Sequence, residues 1–456
     1  MIKTQMTYGG HTRALLTLGL PLIGGHVAQF AIGLTDTIML GWYSVDALAA
    51  VVLGSTLFFV TFILGSGFGI AVMPMVAEAE AQGDELAIRR IARMGLWLSA
   101  FFAVALLPLF WFSGPVLEVL GQEAALAAEA QVYLRVMGIG LLPALLVMVL
   151  KSYLAALEHT RIVFWITVMA ATVNALVNYI LIFGHFGAPE MGILGAAIAS
   201  LVVQVVSIVG VVIYARHALP EHALFARIWR PDGEILKDVF HVGMPIGLTN
   251  LAEVGLFAAS TTMMGWLGKI PLAAHGIALN LAGLAFMLHL GLSNAATVRA
   301  GNALGRKDAE HLARGATTAI FVSLVMAVGA VLVFVSIPEV LIGAFVDSAD
   351  PDFERIVTTG VALLMVAAMF QFVDGAQAMA LGLLRGVMDT RKPMIIAVFS
   401  YWAVGMSCSY VFGFVLGWGG VGVWLGLVVG LCVAAVLLLN RFWRGKLLEL
   451  KQSFAG

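Results

Sequence analysis

The stretch GMPIGLTNLAEVGLFAASTTMMGW, Gly243–Trp266, carries one carboxylate, Glu253, about ten residues into a run that is otherwise apolar enough to lie in lipid. The chain contains a near copy of this stretch, GLPLIGGHVAQFAIGLTDTIMLGW, at Gly19–Trp42. The two copies align without a gap at an offset of 224 residues. A repeat of this length predicts two similar halves of the membrane-spanning structure.

The register of the repeat continues beyond these copies, but its acidic residues are not repeated. Glu253 aligns with Gln29, and Asp36 aligns with Ser260. Other positions match, and they include Pro21 with Pro245, Trp42 with Trp266, Gly67 with Gly291, Asp84 with Asp308, and Arg90 with Arg314. Two halves with different polar centres predict two lobes with different roles.

The composition indicates a protein with several membrane spans. The 456 residues are 61% hydrophobic and 11% charged, with a mean hydropathy of +1.00. A soluble globular protein has about 25% charged residues. The formal net charge of −1 argues against a nucleic-acid partner. Cys408 and Cys432 do not follow a metal-ligand spacing.

Twelve apolar runs are long enough to cross a bilayer as helices, because lipid requires the backbone to satisfy its own hydrogen bonds. Their approximate limits are 14–42, 48–74, 94–116, 130–153, 162–184, 191–215, 239–266, 275–298, 316–344, 357–384, 394–416 and 420–441. We predict an all-α integral membrane protein of twelve transmembrane helices in two pseudo-symmetric six-helix bundles. The expected divisions are an N-terminal lobe at 1–215, a cytoplasmic linker at 216–238, and a C-terminal lobe at 239–456 with a short cytoplasmic tail.

The basic residues predict the orientation. Of the 25 Lys and Arg residues, only Arg135, Lys269 and Arg355 fall in the odd-numbered connections. The others, among them Lys3, Lys151 and Arg385, are assigned to the termini and the even-numbered connections. Basic residues favour the cytoplasmic side, so both termini are predicted to be cytoplasmic, in the inner membrane of a cell.

Two acids in the C-terminal half are candidate transport residues. An ionised carboxylate in the bilayer centre costs roughly 2.5–3.5 kcal/mol or more, which favours a function for Glu253 and for Asp374. Gln371, Asp374 and Gln377 are spaced by three and so share one arc of a helix. This cluster is a candidate carrier of H⁺ or Na⁺ and a candidate counter-ion for a cationic substrate. The alternative is an acid that only braces helix packing.

A second candidate cation site lies in the N-terminal half. Asp36 follows Thr35, and Asn174 and Asn178 lie one helical turn apart on one face. Carboxylate and amide oxygens are hard ligands that suit Na⁺, and a carboxylate can also hold a proton. Gln29 is a supporting polar candidate. The alternative is interhelical hydrogen bonding at about 0.6 kcal/mol per contact.

Large flexible and aromatic side chains are candidates for lining a substrate cavity, since they pack against flat apolar cations. The candidates are Met39, Met263, Phe286 and Met287. Their alternative position is in the core or against lipid. Three histidines within the spans, His26, His275 and His289, are expected to be hydrogen-bonded packing residues.

With these features together, the chain resembles the multidrug and toxic compound extrusion (MATE) family, NorM-type branch. The resemblance covers essentially the whole chain and is most specific at PIGLTNLAEVGLF (245–257), TDTIMLG (35–41), VNALVNY (173–179) and the span-ten block 371–393. It implies two bundles that export organic cations and amphipathic drugs in exchange for Na⁺ or H⁺. Glu253 and Asp374 match the family's C-lobe acids, and Asp36, Asn174 and Asn178 match its N-lobe cation site.

The resemblance also leaves points open. Proton-coupled archaeal relatives carry an aspartate where this chain has Asn178, so which lobe binds the coupling ion is undecided. We expect a monomer without a cofactor. A lipid or lipid-linked oligosaccharide flippase of a related fold is the alternative function, but it would favour basic rather than acidic deep residues. No nucleophile, base or metal spacing favours an enzyme.

Overall fold

The computed structural model describes the backbone of residues 6–455 and all of their side chains except those of Val45, Asp46 and Ala455. Lys3, one of the basic residues used for orientation, lies outside this range. Helices account for the regular structure of the described residues, in which no strand occurs.

Twelve of the helices are long and apolar enough to cross a membrane, which confirms the predicted number. Ten of them reach or pass the limits of their apolar runs to within one residue, whereas the helices of the runs 94–116 and 316–344 already end at Trp111 and Ser336. They are α1 Tyr8–Tyr43, α2 Val45–Gln82, α3 Glu85–Trp111, α4 Ala124–Ala156, α5 Thr160–Phe183, α6 Gly192–Ala218, α7 Gly233–Leu267, α8 Lys269–Gly305, α9 Ala309–Ser336, α10 Phe353–Gly386, α11 Arg391–Val415 and α12 Gly419–Phe454.

Short helical turns complete the chain. Two brief helices, Ser113–Val119 and Pro338–Gly343, follow α3 and α9. The wider π-helical turns occur within α11, at Phe399–Met406 and Val411–Val415, and within α12, at Arg441–Lys446. These turns widen the helix locally and change the direction in which the following side chains point.

The chain packs as two compact units. The N unit is Gly24–Gly247, and the C unit contains the chain up to Ile23 and from Leu248 onward. Helices α1 and α7 therefore each contribute to both units. The division of the chain into lobes at 1–215 and 239–456 was inferred from the sequence repeat, and it stays a prediction.

The repeat-related glycines Gly67 and Gly291 mark equivalent close helix crossings. In the N unit, a Cβ on Gly67 of α2 would lie 2.3 Å from the carbonyl oxygen of Gly243 on α7. In the C unit, a Cβ on Gly291 of α8 would lie 2.5 Å from the backbone nitrogen of Ile23 on α1. Small residues permit such backbone contact in membranes. Both copies of the repeat thus use glycine for the same packing purpose.

Gly67→Ala should therefore destabilise the protein. The new methyl group would press against backbone atoms that cannot rotate away, at a cost of about 1–3 kcal/mol. Thermal unfolding of the purified protein in detergent would measure this loss. Gly329→Ala is the matched control, because nothing lies within 4 Å of a Cβ at Gly329. Equal unfolding temperatures for the two variants would contradict the crossing.

The linker before α7 is anchored to the N unit. Arg93 on α3 donates hydrogen bonds to the carbonyl oxygens of Leu224 and Ala223 at 2.7 and 2.8 Å. Arg90 Nε lies 2.6 Å from Asp232 Oδ2, and this hydrogen bond lowers the pKa of Asp232. The predicted linker at 216–238 is thus held along α3 by polar contacts.

Candidate functional site

The C unit holds Glu253 in a chain of hydrogen bonds across three helices. Gln377 on α10 donates from Nε2 to Glu253 Oε1 on α7 at 2.8 Å. Tyr401 on α11 donates its hydroxyl proton to Gln377 Oε1 at 2.5 Å. An amide whose oxygen accepts from Tyr401 must turn its NH₂ group toward Glu253. Tyr401 therefore orients the group that binds the carboxylate.

Asp374 and Gln371 lie beside this chain with polar atoms unsatisfied. Both side chains are buried, at 1% and 0% exposure. Asp374 Oδ1 and both polar atoms of Gln371 have no hydrogen-bond partner. Asp374 is close enough to Glu253 for their charges to interact. Buried polar atoms without partners are costly, so this arrangement favours a ligand that supplies the missing contacts.

Among the described residues of the C unit, Arg385 is the one basic residue whose charge acts on Glu253. It donates from Nη2 to Asn250 Oδ1 at 2.7 Å, and its side chain is buried. The predicted position of Arg385 in a connection is wrong, because Arg385 lies in the last turn of α10. Two acids and one arginine leave one uncompensated negative charge when both acids are ionised.

The N unit gathers the second candidate set around Asp36. Asn174 and Asn178 on α5 both donate from Nδ2 to Asp36 Oδ1 on α1, at 3.0 and 2.5 Å. Asn178 also donates to Asn174 Oδ1 at 3.3 Å. The two asparagines are fully buried, and Asn178 Oδ1 has no partner. The three residues are brought together as predicted, and their role stays a prediction.

Lys151 lies on α4 in the N unit, which makes its assignment to a connection wrong. Its ammonium donates to Thr167 Oγ1 on α5 at 2.9 Å. The hydropathy pattern places basic residues at the ends of apolar runs. Lys151 lies inside the apolar run at 130–153, near its end, whereas Arg385 lies one residue past the run at 357–384 in a helix that continues to Gly386.

The remaining candidate residues are distributed over both units. Gln29 is exposed on α1, two turns before Asp36. Met39 packs against the N-unit core, and Met263 is buried at 8% exposure in α7. Phe286 and Met287 are half-buried on α8. Their assignment to a substrate cavity stays a prediction.

The buried histidines confirm the expected packing role at two positions. His275 interacts through Nε2 with Thr261 Oγ1 at 3.1 Å and accepts a hydrogen bond from Trp424 at Nδ1 at 3.0 Å. His289 Nδ1 lies 2.9 Å from Ser323 Oγ.

Sequence reasoning missed Tyr401, Asn250 and the buried role of Arg385. The available signal was that a tyrosine within an apolar span needs a partner for its hydroxyl group. Among the side chains that the structure describes, no three His, Cys, Asp or Glu residues form a group that could hold a metal ion. Any cation bound at Asp36 or at Asp374 would therefore need amide, backbone or water oxygens as well.

Comparisons with known proteins agree in sequence and in structure. The MatE family model matches residues 21–180 and 245–411. The chain is 43% identical over 446 residues to the "Probable multidrug resistance protein NorM" of Rhizobium meliloti, covering 97% of this chain and 96% of that protein. It is 44% identical to the protein of the same name from Agrobacterium fabrum, with 95% and 93% covered.

A solved structure shares the fold. "Crystal structure of MATE in the bent conformation" superposes with a TM-score of 0.88 at 22% identity and covers 98% of both chains. This similarity confirms the predicted twelve-helix, two-lobe architecture.

Proposed function

Because this chain belongs to the MatE family, we propose that it is a secondary active antiporter that exports organic cations and amphipathic drugs in exchange for Na⁺ or H⁺. It is a multi-pass membrane transporter of the multidrug efflux family and not an enzyme. The coupling ion, the exchange and the movement between two access states are the parts that we propose.

The charge balance of the C unit is the observation on which the proposal rests. Glu253 and Asp374 carry two negative charges when ionised, and Arg385 carries one positive charge. The remaining negative charge suits one monovalent cation, which can be H⁺, Na⁺ or the ammonium group of a drug. Ligands that neutralise the same charge compete with each other. Competition at one site couples their movements.

The unsatisfied polar atoms favour Asp374 over Asp36 as the exchange site. Asp374 Oδ1 and Gln371 Oε1 are buried and lack partners, so a cation would restore contacts that burial has removed. Asp36 Oδ1 already accepts two amide hydrogen bonds. We therefore assign the competition to the C unit and regard the Asp36 cluster as a second cation site.

Coupled transport also requires that the two access states bind the ligands differently. A ligand with equal affinity for both states does not shift their populations. In the proposed cycle, an ion that enters from outside neutralises the acids and weakens a bound drug cation, which is released outward. A drug from the cytoplasm then displaces the ion inward. We place the protein in the inner membrane as a monomer with cytoplasmic termini.

Ion and drug fluxes in proteoliposomes test the proposal. An imposed gradient of Na⁺ or of H⁺ should drive ethidium across the membrane in the direction opposite to the ion. Ethidium should in turn stimulate flux of the same ion. The gradient that acts identifies the coupling ion. Ethidium transport that neither gradient changes would refute antiport, while absence of ethidium transport in both gradients would refute the drug-efflux function.

A further inference from the structure

The linker between α6 and α7 lies at the level where α3 begins its apolar run, which covers 94–116. The backbone N–H of Asp232 donates to Met94 Sδ at 3.0 Å, and Met94 is the first residue of that run. The indole of Trp97 donates to the carbonyl oxygen of Ile228 at 2.6 Å. Contacts with the first turn of a membrane-spanning run place this part of the linker at the boundary between hydrocarbon and lipid headgroups.

The backbone of the linker is strained at two positions. Ala223 and Arg227 have φ angles of 41° and 55°, in the left-handed region that residues with a side chain rarely adopt. The carbonyl oxygen of Ala223 accepts a hydrogen bond from Arg93 on α3, and that of Arg227 accepts one from the backbone N–H of Arg230 at 3.1 Å. Strain of this kind persists only where the surroundings hold it, and it is concentrated at functional sites. It therefore favours a role for the turn at 227–230.

This turn presents two arginines and a tryptophan on the surface of the N unit. Arg227, Trp229 and Arg230 are exposed, and Trp229 keeps 68% of its surface accessible. None of the ion pairs between described residues includes Arg227 or Arg230. Asp232, the nearest acid along the chain, is already paired with Arg90. The turn therefore carries positive charge next to an exposed aromatic ring.

We propose that the turn at 227–230 binds the headgroup of an anionic phospholipid in the leaflet on the linker side. Guanidinium groups form strong hydrogen bonds to phosphate oxygens, and basic residues next to a membrane are attracted to anionic lipid. A tryptophan ring is favoured at the level of the headgroups. The depth of the turn and the exposed ring of Trp229 favour a lipid over a free phosphate ion. This inference depends on the chain lying in a membrane and not on the proposed ion exchange.

Lipid binding to the purified full chain in detergent tests the site. Native mass spectrometry with added phosphatidylglycerol or phosphatidylcholine gives an affinity for each lipid. The double variant Arg227→Gln, Arg230→Gln should bind phosphatidylglycerol about twentyfold more weakly, since each arginine near an anionic surface contributes a factor of about five. Its affinity for phosphatidylcholine should change by less than about twofold, because that headgroup has no net charge. Trp229→Ser should weaken the binding of both lipids equally, because the ring contacts either headgroup.

The matched control is the double variant Arg306→Gln, Lys307→Gln. It removes the same number of positive charges at exposed positions, in the connection after α8. Its affinity for phosphatidylglycerol should stay within about twofold of wild type, because a localised site depends on nearby charges only. If the first double variant does not fold, the single variants Arg227→Gln and Arg230→Gln decide the question, with an expected loss of about fivefold each.

Three results would overturn the inference. One is an unchanged affinity for phosphatidylglycerol when both arginines of the turn are replaced. Another is an equal loss in the control variant, which would show that the lipid responds to overall charge and not to this turn. The third is displacement of the lipid by inorganic phosphate in wild type but not in the arginine variants, which would assign the turn to a soluble anion.

Discussion

Glu253→Gln and Asp374→Asn should each abolish ion-coupled drug transport while the protein remains folded. Either change removes the one negative charge that Arg385 leaves uncompensated, so no net charge remains for a cation. The amides are close in shape to the acids and avoid the cost of a buried charge, which preserves folding. We expect transport to fall roughly a hundredfold or more, the equivalent of about 3 kcal/mol in cation binding.

Ethidium efflux from proteoliposomes measures this loss, and size-exclusion profiles in detergent check the fold. Glu339→Gln provides the matched control, because Glu339 is an exposed acid of the same unit. Wild-type transport by both site variants would remove Glu253 and Asp374 from the mechanism. Loss in the control variant as well would point to a general effect of acid removal.

Arg385→Met should destabilise the C unit by about 2 kcal/mol. The substitution deletes a charged hydrogen bond to Asn250 and leaves the two acids without their basic neighbour. Thermal unfolding in detergent measures the effect. Arg391→Met is the control, since Arg391 is exposed at the start of α11.

A double-mutant cycle tests whether the arginine acts by its charge. Adding Glu253→Gln to Arg385→Met should restore a large part of the lost stability, because the uncompensated acid is then removed. The two changes should therefore be non-additive by about 1 kcal/mol. Additive effects would show that Arg385 contributes only its hydrogen bond to Asn250.

The fold could be predicted from the sequence because lipid restricts the possible structures so strongly. Twenty consecutive apolar residues need a helix, and the gapless repeat between Gly19–Trp42 and Gly243–Trp266 fixes how two sets of helices correspond. The matching of Gly67 with Gly291 predicted an equivalence that the helix crossings display. Hydropathy could not find where helices end, since most helices continue through polar residues beyond their apolar runs, while α3 and α9 end inside theirs.

The candidate sites were predictable only where one helix carries the pattern. Asn174 with Asn178, and Gln371 with Asp374 and Gln377, are visible as helical spacing. Contacts made across helices were not visible in this way. The distance along the chain from Gln377 to Tyr401 carries no information about their hydrogen bond. Lys151 and Arg385 were misplaced because a basic residue near the end of an apolar run looks like a loop residue.

The exchange of helix segments between the packed units limits how the gene can be divided. The N unit ends at Gly247, inside α7, and the C unit includes the first turns of α1. A polypeptide that stops in the connection before α7 would lack residues 233–247. Gly67 of α2 would then have lost the part of α7 that packs against it. Production of separate halves should therefore give aggregates, whereas synthesis of both halves in the same cell would allow fragment complementation.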